Sequence, residues 1–197
     1  MTRIGVLALQ GDFAEHISAF RRLGVAAREV RRPEELSGLN GLVIPRGEST
    51  TLGRLMSEFS LLDPLRELAQ NSFPIWGTCA GLIVLARRAS DLDWPTLAAL
   101  DIAVRRNAFG RQVDSFEADL AVPALGATAF HAVFIRAPIV EEIGAGVEVL
   151  ATLEDGKAVA VRQGNALATA FHPELTEDDR FHRYFLEIVR AHKNAHA

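Results

Sequence analysis

Short apolar runs alternate with helix-like stretches through the first half of the chain. Strand-like runs cover residues 3–9, 25–30, 42–44 and 74–76, and stretches with helical periodicity cover 13–23, 49–59, 62–70 and 80–88. Strands separated by helices of about ten to fifteen residues are typical of βαβ units, which build a parallel sheet with helices on its faces. This alternation predicts an α/β fold.

The second half has a different pattern, with six strand-like runs at 102–105, 116–122, 129–136, 147–153, 158–162 and 166–171. Turn residues separate several of them, which indicates hairpins, so we expect antiparallel strands to extend the parallel sheet. A closing helix is predicted over 178–192, with Thr176 as its N-cap. The predicted fold is one α/β domain over 1–197: an open, flavodoxin-like, mostly parallel sheet with flanking helices and an antiparallel extension.

Composition excludes several classes of function. The net charge of the 197-residue chain is −4 with Lys and Arg spread along it, which argues against nucleic-acid and membrane-surface binding. The apolar run at 4–9 is too short for a signal peptide or a spanning helix, so we expect a cytoplasmic protein. The chain has one cysteine, Cys79, which excludes an internal disulfide and a cysteine-based zinc cluster. We predict no metal site.

Cys79 lies in the segment GTCAG (77–81), between a predicted strand and a predicted helix. A strand-to-helix turn flanked by glycines is typical of a nucleophile elbow, in which the central residue has a strained backbone and small neighbours. At a helix N-terminus a cysteine favours the thiolate form, and the N–H of the next residue, Ala80, can bind an oxyanion. The alternative is a buried cysteine in an ordinary βα turn.

A cysteine hydrolase also needs a base and a group that orients the base. Among six histidines, His172 follows a buried run and precedes Pro173 and Glu174. In an extended chain residues i and i+2 project to the same side, so His172 and Glu174 can face one cleft at a strand end. We expect His182, on the charged closing helix, at the surface. The alternative for 172–174 is a solvated turn.

Seven segments, in this order, resemble one family of proteins. These segments are LQGD (9–12), GESTT (47–51), GTCAG (77–81), RNAFGRQ (106–112), SFE (115–117), FIRAP (134–138) and FHPELT (171–176). They are similar to the class I, triad-type glutamine amidotransferases, and more closely to the glutaminase subunits of pyridoxal 5′-phosphate synthase. The resemblance extends over almost the whole chain.

The resemblance implies a role for each matching residue. It makes Cys79 the nucleophile, His172 the general acid and base, and Glu174 the orienting carboxylate. Ala80 and Gly47 would supply the oxyanion-hole N–H groups. The segments that hold L-glutamine contain Gly47, Glu48, Arg106, Ile135 and Arg136. An arginine suits the α-carboxylate of an amino acid because its planar fork donates two parallel hydrogen bonds.

The resemblance also implies a reaction and a partner. The chain would hydrolyse L-glutamine to glutamate and ammonia through a thioester, without a cofactor of its own. Ammonia would pass to the synthase subunit of a hetero-oligomeric pyridoxal 5′-phosphate synthase. Two alternatives are a non-catalytic scaffolding subunit of the same complex and a stand-alone cysteine hydrolase acting on another amide or ester.

Arg46 departs from the family pattern, which usually has two glycines before Glu-Ser-Thr, whereas this chain has Arg46 and Gly47. Glycine adopts positive φ freely, and arginine does so at a cost. If this loop must flip a peptide to complete the oxyanion hole, Arg46 hinders the flip. We therefore expect Arg46 to slow turnover without abolishing it.

Overall fold

A computed structural model describes residues 2–106 and 115–196 of the chain. It has an α/β architecture around one large sheet. The strands, in chain order, are β1 (Arg3–Leu7), β2 (Ala26–Val30), β3 (Gly41–Ile44), β4 (Ile75–Thr78), β5 (Ala86–Ala89), β6 (Leu100–Arg105), β7 (Ser115–Leu120), β8 (Phe130–Ile135), β9 (Ile139–Ile143), β10 (Glu148–Thr152), β11 (Ala158–Gln163) and β12 (Ala166–Thr169).

The large sheet has seven strands in the order β10-β11-β12-β4-β3-β1-β2. The pairs from β2 across to β12 are parallel, and β12-β11 and β11-β10 are antiparallel. This arrangement confirms the predicted mostly parallel sheet with an antiparallel extension. The two central strands β4 and β12 are parallel neighbours, so their carboxyl ends meet at the same edge, where α/β proteins carry their binding sites.

In the part of the chain that the structure describes, five α-helices accompany the strands: α1 (Phe13–Arg22), α2 (Ser49–Glu58), α3 (Leu62–Gln70), α4 (Ala80–Leu85) and α5 (Arg180–Ala195). Helices α1 and α5 contact each other through Phe20 and Phe185, whose ring centroids are 6.3 Å apart. Both helices also pack on Trp76 of β4, through His16 and Phe185. The core beneath them is continuous and apolar, because β3, β4 and β12 are entirely buried. No helix among the described residues is long and apolar enough to cross a membrane.

Two predictions about the middle of the chain are wrong. The helix expected over 80–88 ends at Leu85, and the chain continues as β5. Arg87 and Arg88 are exposed and pair with Asp101 and Glu142, so this stretch follows a sheet edge instead of a helix face. In addition, β5-β6-β9 and β7-β8 form two small separate sheets, of which β9 was not predicted. Only β10, β11 and β12 extend the large sheet.

The closing helix begins at Arg180, with Asp179 at the N-cap position, and not at 178 with Thr176 as cap. Thr176 instead accepts a hydrogen bond from the N–H of Asp178 at 3.3 Å, in a turn before the helix. His182 is fully buried, which contradicts its predicted place at the surface. The reason is helical phase: His182 shares the inward face of α5 with Phe185 and Val189.

Candidate active site

Cys79 lies at the turn between β4 and α4, with φ 50° and ψ −102°. Positive φ is uncommon for a residue with a side chain and marks strain that the surrounding structure must hold in place. The N–H of Cys79 donates to the carbonyl of Thr169 at 2.8 Å and so ties the turn to the end of β12. The backbone is that of the predicted nucleophile elbow.

The two glycines of the turn allow α4 to approach the sheet closely. A Cβ on Gly81 would lie 2.0 Å from the carbonyl oxygen of Ile44, and a Cβ on Gly77 would lie 2.4 Å from the backbone of Gly81. Neither contact is possible unless the backbone moves, so a residue with a side chain does not fit at either position. Helix α4 has only six residues and is shorter than the predicted helix over 80–88.

His172 and Glu174 form a buried pair. The Nδ1 atom of His172 lies 3.0 Å from Oε1 of Glu174, and both side chains are fully inaccessible to solvent. This rules out the solvated-turn alternative. The expected extended geometry is wrong, however: β12 ends at Thr169, and Pro173 begins a short 3₁₀ turn that reaches Leu175. Proline is well suited to the first position of such a turn, because its fixed φ is helical.

The charge of His172 depends on its two neighbours. Burial by itself would lower the pKa of His172, but the interactions with Cys79 and Glu174 outweigh burial and raise the pKa to about 9. At neutral pH His172 is therefore an imidazolium, which can act as a general acid.

The sulfur of Cys79 faces a cavity of about 530 Å³, within the usual size range of small-molecule sites. Seven residues predicted for the site line this cavity: Gly47, Glu48, Cys79, Ala80, Arg106, Ile135 and Arg136. His172 and Glu174 lie beneath the cavity wall and not on it, since both are inaccessible to solvent. The sequence-predicted residues thus come together at the carboxyl ends of the central strands.

Arg106 is held at the cavity by several polar contacts. Its guanidinium donates to Oε1 of Glu48 at 3.1 Å, to Oγ1 of Thr50 at 3.0 Å and to the carbonyl of Asp91 at 2.8 Å. Glu48 also caps α2, accepting from the N–H groups of Thr50 and Thr51. Burial opposes the charged form of Glu48, but these hydrogen bonds lower its pKa overall. The carboxylate of Glu48 thus anchors Arg106 and the start of α2.

Arg46 lies on the loop before Gly47 and pairs with Asp12 through its Nε atom. The side-chain hydrogen bond with Asp12 raises the pKa of Arg46, and the charges of Glu174 and Cys79 act in the same direction. Its backbone is not at positive φ. Gly11, at φ +90°, passes so close to the carbonyl of Arg46 that a Cβ there would lie 1.6 Å from its oxygen. The loop is therefore held against the segment that follows β1 by the Arg46–Asp12 ion pair and by the close backbone contact at Gly11.

Only one group of three described residues has ligand atoms close enough to hold a metal ion, namely Asp12, His172 and Glu174. These atoms already have protein partners: the carboxylate of Asp12 binds Arg46, and Nδ1 of His172 faces Glu174. Nε2 of His172 and Oε2 of Glu174, by contrast, make no hydrogen bond of regular geometry within residues 2–106 and 115–196.

Several cavity residues were not among the predicted site residues: Gln10, Gly11, Arg46, Ser49 and Ile83. Gln10 has a clear part in the loop, since its Oε1 accepts from the N–H of Glu48 at 3.2 Å. Gln10 comes soon after β1, at the sheet edge that carries Cys79, and this position in the sequence could have identified it as a site residue. Arg105, next to Arg106, lies in an exposed ion pair with Glu141 at 2.6 Å. Residues 107–112 of the RNAFGRQ segment lie outside the described residues.

Comparison with solved structures supports the same fold. A crystal structure of a glutamine amidotransferase superposes with a TM-score of 0.88 at 53% identity, covering 94% of this chain and 98% of that one. The crystal structure of a putative GMP synthase component from Thermoplasma acidophilum superposes with a TM-score of 0.73 at 18% identity, covering 100% of this chain and 98% of that one. The second likeness is evidence for the fold alone.

Sequence comparison gives the family. The chain is 58% identical over 187 residues to the pyridoxal 5′-phosphate synthase subunit PdxT of Moorella thermoacetica, covering 95% of this chain and 99% of that protein. It is 59% identical over 193 residues to the protein of the same name from Dehalococcoides mccartyi, covering 97% and 99%. The model of the SNO glutamine amidotransferase family matches residues 6–191. This chain therefore belongs to the SNO glutamine amidotransferase family.

Proposed function

We propose that the chain hydrolyses L-glutamine to L-glutamate and ammonia with Cys79, His172 and Glu174. One observation carries this proposal: the strained cysteine lines a cavity that can hold an amino acid and interacts with the histidine of a buried histidine–carboxylate pair. A nucleophile, a base and an orienting acid in that order make a cysteine amidohydrolase. Family membership restricts the amide to glutamine.

The reaction begins with attack of the Cys79 thiolate on the side-chain carboxamide carbon of glutamine. The raised pKa of His172 keeps a proton on the imidazole at neutral pH, ready for the departing nitrogen. As the C–N bond breaks, that proton leaves with ammonia, and a γ-glutamyl thioester remains. His172, now neutral, takes a proton from water, which attacks the thioester and returns the sulfur as thiolate.

The tetrahedral oxyanion needs donors in both steps. We assign this role to the N–H groups of Ala80, at the start of α4, and of Gly47, across the cavity. Loss of one such donor costs about 2.7–4 kcal/mol of transition-state stabilisation. The hydrogen bond from the N–H of Glu48 to Gln10 restricts the loop that carries Gly47.

Glutamine is held by the charged and backbone groups at the cavity wall. Arg106 and Arg136 are positioned to attract the α-carboxylate, and Glu48 holds Arg106 in place. The carbonyl of Ile135 lies 3.8 Å from the sulfur of Cys79, so it borders the reacting amide. Arg136, which follows it, has φ 46°, a strained backbone of the kind that often occurs at ligand sites.

Ammonia is useful to a second enzyme only while it is unprotonated, so a protected transfer to a partner makes chemical sense. Relatives similar over almost the whole chain are named as subunits of pyridoxal 5′-phosphate synthase. The partner is accordingly the synthase subunit, and the product of the complex is vitamin B6. We also propose that residues 1–197 form one domain and that the protein acts in the cytoplasm.

Glutamate release, measured with and without purified synthase subunit, tests the proposal. We expect hydrolysis that rises when the synthase subunit is added, and no hydrolysis by a Cys79→Ala variant that still binds the synthase subunit. Cys79→Ser is the matched control for shape, because its hydroxyl is similar in size and a far weaker nucleophile. Hydrolysis retained by Cys79→Ala would refute the role of the sulfur.

The same assay separates the two alternatives. A scaffolding subunit would release no glutamate in either state, although the complex still forms. A stand-alone hydrolase would act on unrelated amides without the synthase subunit. The coupling of Arg106 to Glu48 at the cavity favours an amino-acid substrate over both alternatives.

A further inference from the structure

A second set of buried polar side chains contacts Glu174 and does not line the cavity. His16 of α1, Thr78 of β4 and His182 of α5 are all fully buried. The Nδ1 atom of His16 lies 3.0 Å from Nε2 of His182. The Nε2 atom of His16 lies 3.3 Å from Oγ1 of Thr78 and 3.4 Å from Oε2 of Glu174. The set therefore connects α5 and α1 to the predicted catalytic carboxylate.

Both imidazoles in this set are neutral. Burial, followed by the charges of His182 and His172, places the pKa of His16 well below its ordinary value. Burial lowers the pKa of His182 to about 4, although Asp179 acts in the opposite direction. A neutral imidazole has one N–H and one bare nitrogen, so the contact between His16 and His182 contains a single proton.

The position of that proton follows from the atoms around it. If His16 is protonated at Nδ1, its bare Nε2 can accept from the hydroxyl of Thr78, but it then faces Oε2 of Glu174 with no proton between these two acceptors. If His16 is protonated at Nε2, the N–H points between Thr78 and Glu174, while Nδ1 accepts from Nε2–H of His182. Oε2 of Glu174 makes no hydrogen bond of regular geometry to any described residue, and the Nε2–H form places a donor beside it at 3.4 Å.

His182 gives an independent reason for the same assignment. Its Nδ1 atom is buried and makes no hydrogen bond within residues 2–106 and 115–196. An unpaired buried N–H is rarer than an unpaired acceptor, so Nδ1 is the bare nitrogen and Nε2 carries the proton. The ring cannot turn easily, because Phe20 and Trp76 meet it edge-on with centroid distances of 5.0 and 4.9 Å.

We propose that His16 is a positioning residue for catalysis, which His182 holds in the Nε2–H form so that it directs a donor at Glu174. This inference rests on the proposed function, since it assigns Glu174 to the orientation of His172. With one oxygen facing Nδ1 of His172 and the other facing His16, the carboxylate has an interaction on each side. The imidazole beside Cys79 thereby keeps its tautomer and its direction.

The protonation of His16 can be measured without any activity. Nitrogen-15 NMR of the imidazoles distinguishes a protonated nitrogen from a bare one. We expect both His16 and His182 to be neutral and protonated at Nε2 at pH 7. Protonation of His16 at Nδ1 would overturn the proposal, whether or not the protein hydrolyses glutamine.

Steady-state kinetics of the complex with the synthase subunit give the second test. His16→Leu removes the donor, and we expect kcat to fall at least about tenfold, as for other outer partners of active-site side chains. The KM for glutamine should not change, because His16 does not reach the cavity. His16→Gln keeps an N–H at a similar reach and should recover most of kcat.

Phe185→Leu is the matched control for packing, because Phe185 is buried on the same helix as His182, packs on Phe20 and Trp76, and carries no polar group. Thermal unfolding shows which variants are folded, and we expect Phe185→Leu to lose stability while kcat is retained. Equal kcat for His16→Leu and the unsubstituted chain would refute the positioning role. Equal loss in His16→Gln, His16→Leu and Phe185→Leu would reduce it to a packing effect and overturn the proposal. Absence of hydrolysis by the unsubstituted chain would instead refute the proposed function.

Discussion

The backbone N–H of Cys79 donates to the carbonyl of Thr169 at 2.8 Å, across the boundary between the two central parallel strands. This bond continues the β4-β12 ladder by one residue beyond β4. His172 follows Thr169 by three residues, so the same contact that holds the elbow also brings the histidine to it. The active-site geometry is thus a consequence of the strand pairing.

The titration of His172 tests this proximity. We expect an NMR midpoint near pH 9 in the unsubstituted chain, since the pKa of His172 is raised to about 9 from 6.5. Cys79→Ala removes one of the two groups that raise the pKa of His172, so its midpoint should fall. Burial, which lowers this pKa, is then opposed by Glu174 without the sulfur. An unchanged midpoint in Cys79→Ala would show that the sulfur does not interact with the imidazole.

The same shift has a consequence for stability. A histidine whose pKa is higher in the folded than in the unfolded state binds protons more tightly when folded. The stabilisation from His172 is therefore complete below about pH 6.5 and is lost as the pH rises through about 9. Chemical unfolding between these pH values should show this fall, and Cys79→Ala should show a shallower one.

Substitution of Arg106 tests the recognition of glutamine. Arg106→Lys keeps the positive charge but loses the planar guanidinium, which donates hydrogen bonds to Glu48 and Thr50 at the cavity. We expect the KM for glutamine to rise about tenfold, equivalent to about 1.4 kcal/mol. Arg105→Lys is the control, since Arg105 is in an exposed pair with Glu141, and its kinetics should not change. Equal kinetics for both variants would exclude Arg106 from substrate binding.

Arg46→Gly tests whether the loop before Gly47 limits the rate. Two features restrain this loop. Arg46 forms an ion pair with Asp12, and its backbone has less conformational freedom than that of a glycine. We expect a several-fold higher rate in the complex with the synthase subunit. Asp12→Asn, which weakens only the ion pair, should give a smaller increase. A lower or unchanged rate in Arg46→Gly would mean that the positive charge beside Cys79 contributes more than loop freedom.

Gly81→Ala tests the close approach of α4 to the sheet. The added Cβ would lie 2.0 Å from the carbonyl oxygen of Ile44, and overpacking of this kind costs about 1–3 kcal/mol. Since the displaced helix begins next to Cys79, activity should fall together with stability. Gly156→Ala is the control: its Cβ meets no atom within 4 Å, and it strains only a turn at φ +82°. It should lose stability and keep activity. A fully active, stable Gly81→Ala variant would contradict the packing argument.

The local sequence pattern was sufficient to predict most helices and strands of the parallel half of the fold. Helices α1, α2 and α3 and strands β1 to β4 follow from apolar periodicity and from glycine and proline at their ends. Periodicity reports which side of a segment is buried and not which segment buries it. For that reason the pairing of β5, β6 and β9 into a separate sheet could not be predicted, and β9 was missed.

The residues proposed for the site were found in the same way, from chemistry at the ends of predicted strands. Local pattern was enough to place Cys79 in an elbow and His172 before Glu174 at a strand end. The packing of the whole fold sets the 3₁₀ turn, and not an extended chain, between His172 and Glu174. It also brings His16 and His182 together, although 166 residues separate them. Local propensity acts over a few residues, whereas burial of a polar side chain depends on every segment that packs around it.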